Sequence, residues 1–156
     1  MRKSASTAAA VLCVILAVCV SAARGQSVEE YQIFQLVNAE RAKQRLQPLA
    51  WDGGVAGIAR EHSRQMAKQN FFAHQDPRGR TVVDRAHAGR VRGWSKIGEN
   101  LFTCEEVDGF ERNSVRGWLR SASHRKNMLA RDWTATGIGV FRSRDGRIYV
   151  TQVFIA

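Results

Sequence analysis

Thr136-Gly137-Ile138-Gly139-Val140-Phe141-Arg142, then Ser143-Arg144-Asp145-Gly146-Arg147, then Ile148-Tyr149-Val150-Thr151-Gln152-Val153-Phe154 is the stretch whose reading sets the fold class. Two runs rich in β-branched and aromatic residues flank an Asp-Gly pair, which suits the positive-φ backbone of a tight hairpin turn. The spacing predicts strands over 136–142 and 148–154 with the turn at 144–146. An antiparallel sheet therefore closes the chain.

Upstream of the hairpin the period changes from two to 3.6. Val28 to about Arg45 reads as a helix with a broad apolar face of Tyr31, Ile33, Phe34, Leu36 and Val37, and Gln47-Pro48 ends it. Asp52 is the expected N-cap of a second helix running to about Asn70, with Val55, Ile58, Ala59, His62 and Met66 on one face. Gly53, Gly54 and Gly57 weaken that helix, so packing must hold it. Residues 71–80 form a loop, and Thr81 with Asp84 resembles a capping box opening a short third helix to about Ala88. Residues 95–104 read as extended. Asp108 with Glu111 caps a fourth helix whose Val115, Trp118, Leu119 and Ala122 point inward, followed by a helical turn over 124–129. Helices gather before strands, which predicts an α+β fold with a mostly antiparallel sheet.

The N-terminus has the three parts of an export signal. Arg2 and Lys3 are positive, the thirteen residues Ala8–Val20 carry no charge, and Ser21-Ala22-Ala23-Arg24-Gly25 supplies small residues. Thirteen apolar residues are short for a membrane span. Cleavage after Ala23 or after Gly25 fits, so the expected division is a signal peptide over 1–25 and one domain over 26–156. About 130 residues remain, enough for one core. No repeat, low-complexity tract or linker interrupts them. Three of the 24 basic residues and none of the 14 acidic ones lie in the signal, so its removal lowers the formal net charge from +10 to +7. Such a dispersed positive surface suits anionic wall polymers, lipid head groups or nucleic acid, with plain solubility as the simpler account. Cys13 and Cys19 leave with the signal. Cys104 then has no partner within the chain and is either a free thiol able to link two chains or, as the apolar strand-like run before it favours, buried.

Three segments carry residues fit for chemistry: Phe72-Ala73-His74-Gln75-Asp76 on a loop, Gly98-Glu99-Asn100-Leu101 on an extended stretch, and Ser121-Ala122-Ser123-His124-Arg125-Lys126-Asn127 after a helix. With them, in order, stand Leu36-Val37-Asn38-Ala39-Glu40-Arg41, Leu46-Gln47-Pro48-Leu49-Ala50-Trp51-Asp52 and the closing hairpin. In this combination the chain resembles the CAP superfamily, the cysteine-rich secretory, antigen 5 and pathogenesis-related proteins. Its bacterial SCP-like secreted branch is the nearest match, from about Ile33 to Phe154. The resemblance implies a three-layer α-β-α sandwich with a cleft lined by two histidines and two acidic residues. His74 and Glu99 match two of those positions. Ser121 and Tyr149 stand where the animal and plant members carry a Glu and a His. The bacterial Ser-x-x-His-Arg-x-Asn pattern makes His124 the second imidazole, with Ala122-Ser123 replacing the usual Pro-Gly.

Two neutral imidazoles can hold a zinc ion with Glu99 and water, and Glu99 is then the candidate base. The same residues also serve as a hydrogen-bonded network holding loops to the sheet. His62 is expected to be packed, His87 exposed, and Asn38, Arg41, Trp118 and Trp133 structural. Arg90, Arg92 and Lys96 are candidates for a basic rim near Glu99, with a solvated face as the default. Two functions follow: a secreted binding module for a lipid, glycan or protein ligand of the envelope or extracellular space, and a metal-assisted hydrolase of peptide or cell-wall material. Nucleic-acid binding rests on charge alone.

Overall fold

The computed structural model describes residues 25–105 and 107–156; all but the last residue of the expected signal segment lie outside them. The chain order is α1 (Val28–Lys43), β1 (Ala50–Trp51), α2 (Gly53–Gln69), α3 (Val82–Ala88), β2 (Ile97–Glu105), α4 (Phe110–Arg120), α5 (Ala122–Met128), β3 (Ala135–Arg142) and β4 (Arg147–Ile155). The expected hairpin forms β3 and β4, paired antiparallel from Ala135↔Ile155 to Arg142↔Ile148. β2 adds antiparallel to β4, and the sheet order is β1-β3-β4-β2. The short β1 joins β3 in parallel, so the sheet is mixed with a single parallel pair.

Alternation along β4 explains why helices cover both faces. Ile148, Val150 and Phe154 belong to a core with Ile33 and Val37 of α1 and with Val115 and Trp118 of α4. Val153 and Ile155 pack with Val55, Ile58 and Ala59 of α2 and Ala86 of α3, and Tyr149 joins Met66 of α2. A strand whose neighbouring side chains are buried on opposite faces needs a layer on each side. That is the α-β-α sandwich.

The approach of α2 to the sheet is set by glycine. An added Cβ at Gly137 would lie 2.1 Å from the Ala56 backbone nitrogen, and one at Gly139 would lie 2.1 Å from that of Arg60. With no side chain at these two positions of β3, the backbone of α2 rests directly on the strand there. Ser63 of α2 uses the closeness to donate to the Gly139 carbonyl at 2.9 Å, and its oxygen can then accept from the Thr151 hydroxyl at 2.8 Å.

Arg41 fastens the other layer. It is fully buried and donates to the carbonyls of Gln47 (3.0 Å), Met128 (2.9 Å) and Ala130 (2.8 Å). The last two close α5, whose C-terminal end favours a positive charge. Burial holds the Arg41 guanidinium below its usual range. Asn38 exchanges hydrogen bonds with the Leu49 backbone, so both residues are structural, each through backbone partners rather than each other.

The caps of α2 and α3 stand as read: Asp52 accepts from Val55 N–H at 2.8 Å, and Asp84 accepts from Thr81 N–H at 2.7 Å. Five local expectations are corrected. α1 stops at Lys43, ahead of Gln47-Pro48, because Arg45 takes a left-handed φ of 56°. Tyr31 is exposed, since the buried stripe runs through Ile33 and Val37. The N-cap of α4 is Gly109 at φ 73°, with no side-chain cap from Asp108. Ala122 starts α5 instead of ending α4, and it is exposed. Cys104 is only half-buried, on the edge strand, and desolvation raises its thiol pKa.

Candidate functional site

β2 is an edge strand, and there the two helical layers meet. Glu99 lies on β2 opposite Val153, facing the α2–α3 layer. The loop after α2 brings His74 from that side, and α5 brings His124 from the other. The His74 and His124 rings lie 6.4 Å apart, inclined by 52°. Of the five residues expected at the cleft, the structure brings these three together.

The remaining two stand elsewhere. Tyr149 is buried among Met66, Leu101, Ala67 and Phe71 and pairs with Thr103, four residues along β2 from Glu99, roughly 13 Å away at strand rise. Ser121 sits at the α4–α5 junction, its hydroxyl 3.2 Å from that of Ser123.

Each cleft group is held from behind. The Glu99 side chain is 3% exposed, and its two oxygens have different partners. Oε2 accepts from Arg85 Nη2 at 2.5 Å, and Oε1 lies 2.8 Å from His74 Nδ1. Arg85, whose side chain is 5% exposed, also donates to the carbonyls of His74 (3.0 Å) and Arg80 (3.1 Å). One guanidinium thus ties α3, the His74 loop and β2 together. Asp76 stiffens the same loop, accepting from the N–H groups of Arg78 and Arg80 and from the Arg80 side chain. On the far side, Asn100 donates to the His124 carbonyl at 3.0 Å. Asn127 donates to the Glu99 carbonyl at 3.1 Å, and Trp133 donates to the Asn127 carbonyl at 2.8 Å. This explains the Gly98-Glu99-Asn100 and Ser-x-x-His-Arg-x-Asn segments: each places one site residue and one clamp for the opposing element.

Arg85 is the residue that sequence reading missed. A signal existed: with Val82, Ala86 and Gly89 it completes an i, i+3, i+4, i+7 stripe, putting an arginine on the inward face of a capped helix. Of the expected basic rim, Lys96 instead pairs with Asp132 and lies over the Trp133 ring.

His62 and His124 are held neutral. Burial depresses His62 most; Glu99 opposes that shift, while Arg85 and His74 add to it. Burial and then His74 depress His124. Both folded pKa values lie below the usual 6.5, so protonation favours the unfolded chain. Their contribution to stability is complete above about pH 6.5 and is lost as the pH falls below it. The urea midpoint is expected to drop between about pH 7.5 and about pH 5.5, and His62→Gln, which removes the titrating group, should reduce that drop. An unchanged slope in the variant would refute the assignment.

Glu99 is committed to Arg85, which leaves two imidazoles as free donors. Among the described residues no group of three or more His, Cys, Asp or Glu side chains is arranged to hold a metal ion. A catalytic zinc site takes three protein ligands, so the donor set does not fit a resident zinc ion.

A sequence model of the cysteine-rich secretory protein family (CAP) matches residues 34–154. The chain is 38% identical over 130 residues to the uncharacterized membrane protein YlbC of Bacillus subtilis, covering 83% of this chain and 35% of that one. It is 36% identical over 139 residues to the uncharacterized protein YkwD of the same organism, covering 86% and 50%. The chain thus spans about a third to a half of the length of these curated relatives. A crystal structure of an extracellular SCP-domain protein from Bacillus anthracis superposes with a TM-score of 0.71 at 38% identity, covering 81% of this chain and 40% of that one. No helix among the described residues is long and apolar enough to cross a membrane.

Proposed function

The chain belongs to the cysteine-rich secretory protein (CAP) family, in its bacterial SCP-type form, and from that premise we propose an exported binding module whose ligand lies between His74 and His124. Residues 1–25 act as the signal and 26–156 as the exported domain. The three-part N-terminus and the extracellular character of the Bacillus anthracis relative support this division. The ligand belongs to the envelope or the extracellular space.

The observation that carries the reading is the state of Glu99. A carboxylate with both oxygens engaged and almost no exposure has no free face for water, so Glu99 is a positioning group. It orients His74, which in its neutral form donates from Nδ1 and presents Nε2 as an acceptor. His124, kept neutral, adds one donor and one acceptor. Such a pair suits hydroxyl or amide groups of a glycan or peptide.

The rival reading, a hydrolase of peptide or cell-wall material, is favoured by one feature. An imidazole oriented by a carboxylate is the arrangement of a general base. This would make His74 the base, with Glu99 behind it.

Native mass spectrometry of the full chain secreted into medium by a bacterial host tests both readings. The expected spectrum shows a mass beginning at residue 24 or 26 and a bound adduct that disappears in His74→Ala and His124→Ala. Bare protein, or turnover of peptidoglycan lost in His74→Ala, would overturn the binding reading.

A further inference from the structure

We propose that the face of α5 opposite the cleft is a second binding site, for a base-free phosphodiester polymer. Residues from the end of α4, from α5 and from the turn before β3 line a shallow, open groove of about 700 Å³. Arg120, Arg125, Lys126 and Arg131 line its sides, and Leu119 and Leu129 are among its apolar residues. All four cations are exposed, and none has an ion-pair partner among the described residues. The nearest acid in sequence, Asp132, is taken by Lys96. Successive residues of α5 are about 100° apart, so His124 and Asn127 turn toward β2 while Arg125 and Lys126 turn to the groove. One short helix therefore serves two sites.

Uncompensated cations converging on a concavity favour a chain of negative charges. Guanidinium forks suit phosphate oxygens, and the apolar residues suit the carbon linkers between them. Three alternatives fit less well. No aromatic side chain lines the groove, so bases of a single-stranded nucleic acid have no stacking platform. The exposed large apolar residues, Val28, Tyr31, Phe72, Val83 and Val107, lie outside it, so a bilayer finds no anchor there. Two helices and a turn offer no strand edge to an acidic peptide, whose backbone would need one for β-augmentation.

Calorimetric titration of the secreted protein with poly(glycerol phosphate) tests the proposal. Binding is expected, with an affinity that falls as salt rises. Arg125→Ala/Lys126→Ala should weaken it at least tenfold and reduce the slope of log K against log salt by roughly one and a half, as two lost phosphate contacts require. The charge-matched Lys68→Ala/Arg92→Ala variant should change the affinity less than twofold. If the first variant loses its circular dichroism spectrum, Arg120→Ala/Arg131→Ala reads the same groove.

The proposal fails if the polymer does not bind, or if both double variants weaken it equally. It also fails if poly-glutamate or oligothymidylate binds as tightly, or if phosphatidylglycerol vesicles bind where the soluble polymer does not. The cleft adduct should survive Arg125→Ala/Lys126→Ala, which keeps this result separate from that of the His74–His124 site.

Discussion

Replacing Arg85 by alanine is expected to destabilise the protein by about 3–5 kcal/mol, the range for removing one partner of a buried ion pair. The Glu99 carboxylate would remain, nearly inaccessible to water, with only His74 beside it. The carbonyls of His74 and Arg80 would lose a shared donor as well. Urea unfolding at neutral pH measures the loss. Arg85→Met/Glu99→Gln should be appreciably more stable than Arg85→Ala, because it removes the unpaired charge and keeps the volume. A loss below about 1 kcal/mol in Arg85→Ala would mean that water reaches Glu99, and the Glu99 argument for a binding module would fall with it.

Gly139→Ala carries the second large effect, about 3 kcal/mol, at the upper end for overpacking. Its methyl group would meet the backbone of Ala59 and Arg60 at 2.1–2.4 Å. Backbone atoms cannot rotate away as a side chain can, so α2 must lift from β3. That lift would also stretch the bonds from Ser63 to Gly139 and Thr151. Gly57→Ala is the control: an added Cβ there has no neighbour within 4 Å, and the change should stabilise α2 by about 0.5–1 kcal/mol. Equal and opposite shifts in urea midpoint are not required. A neutral Gly139→Ala would show that α2 sits farther from the sheet.

Much of the fold was legible because its signals are local. Asp145-Gly146 fixes a turn within a few residues, and Asp52 and Asp84 satisfy amides three residues away or fewer. The failures were local too, wherever a neighbouring residue competed: Gly109 displaced Asp108 as the cap of α4, and Arg45 ended α1 by taking a left-handed turn. Tyr31 read as part of an apolar face because hydrophobicity alone does not say how wide a stripe α4 and β3 will cover.

The candidate site was legible in a different way. His74, Glu99 and His124 have no local ligand spacing, and only the order of the surrounding segments pointed to them. Tyr149 was counted with them by position in the family pattern, but the strand rise carries it away into the core.

The sequence by itself determined the hairpin, the caps of α2 and α3 and the α+β class, since each depends on residue type and short-range geometry; it marked the three cleft groups only through the order of the segments around them. The tertiary structure alone decided which partners those groups meet. Strand register put Glu99 within reach of Arg85, fourteen residues earlier, and of the His74 loop, twenty-five residues earlier. A carboxylate that reads as a candidate base is thereby found buried with both oxygens engaged, because charge pairing depends on distance in space and burial, and neither can be read along the chain.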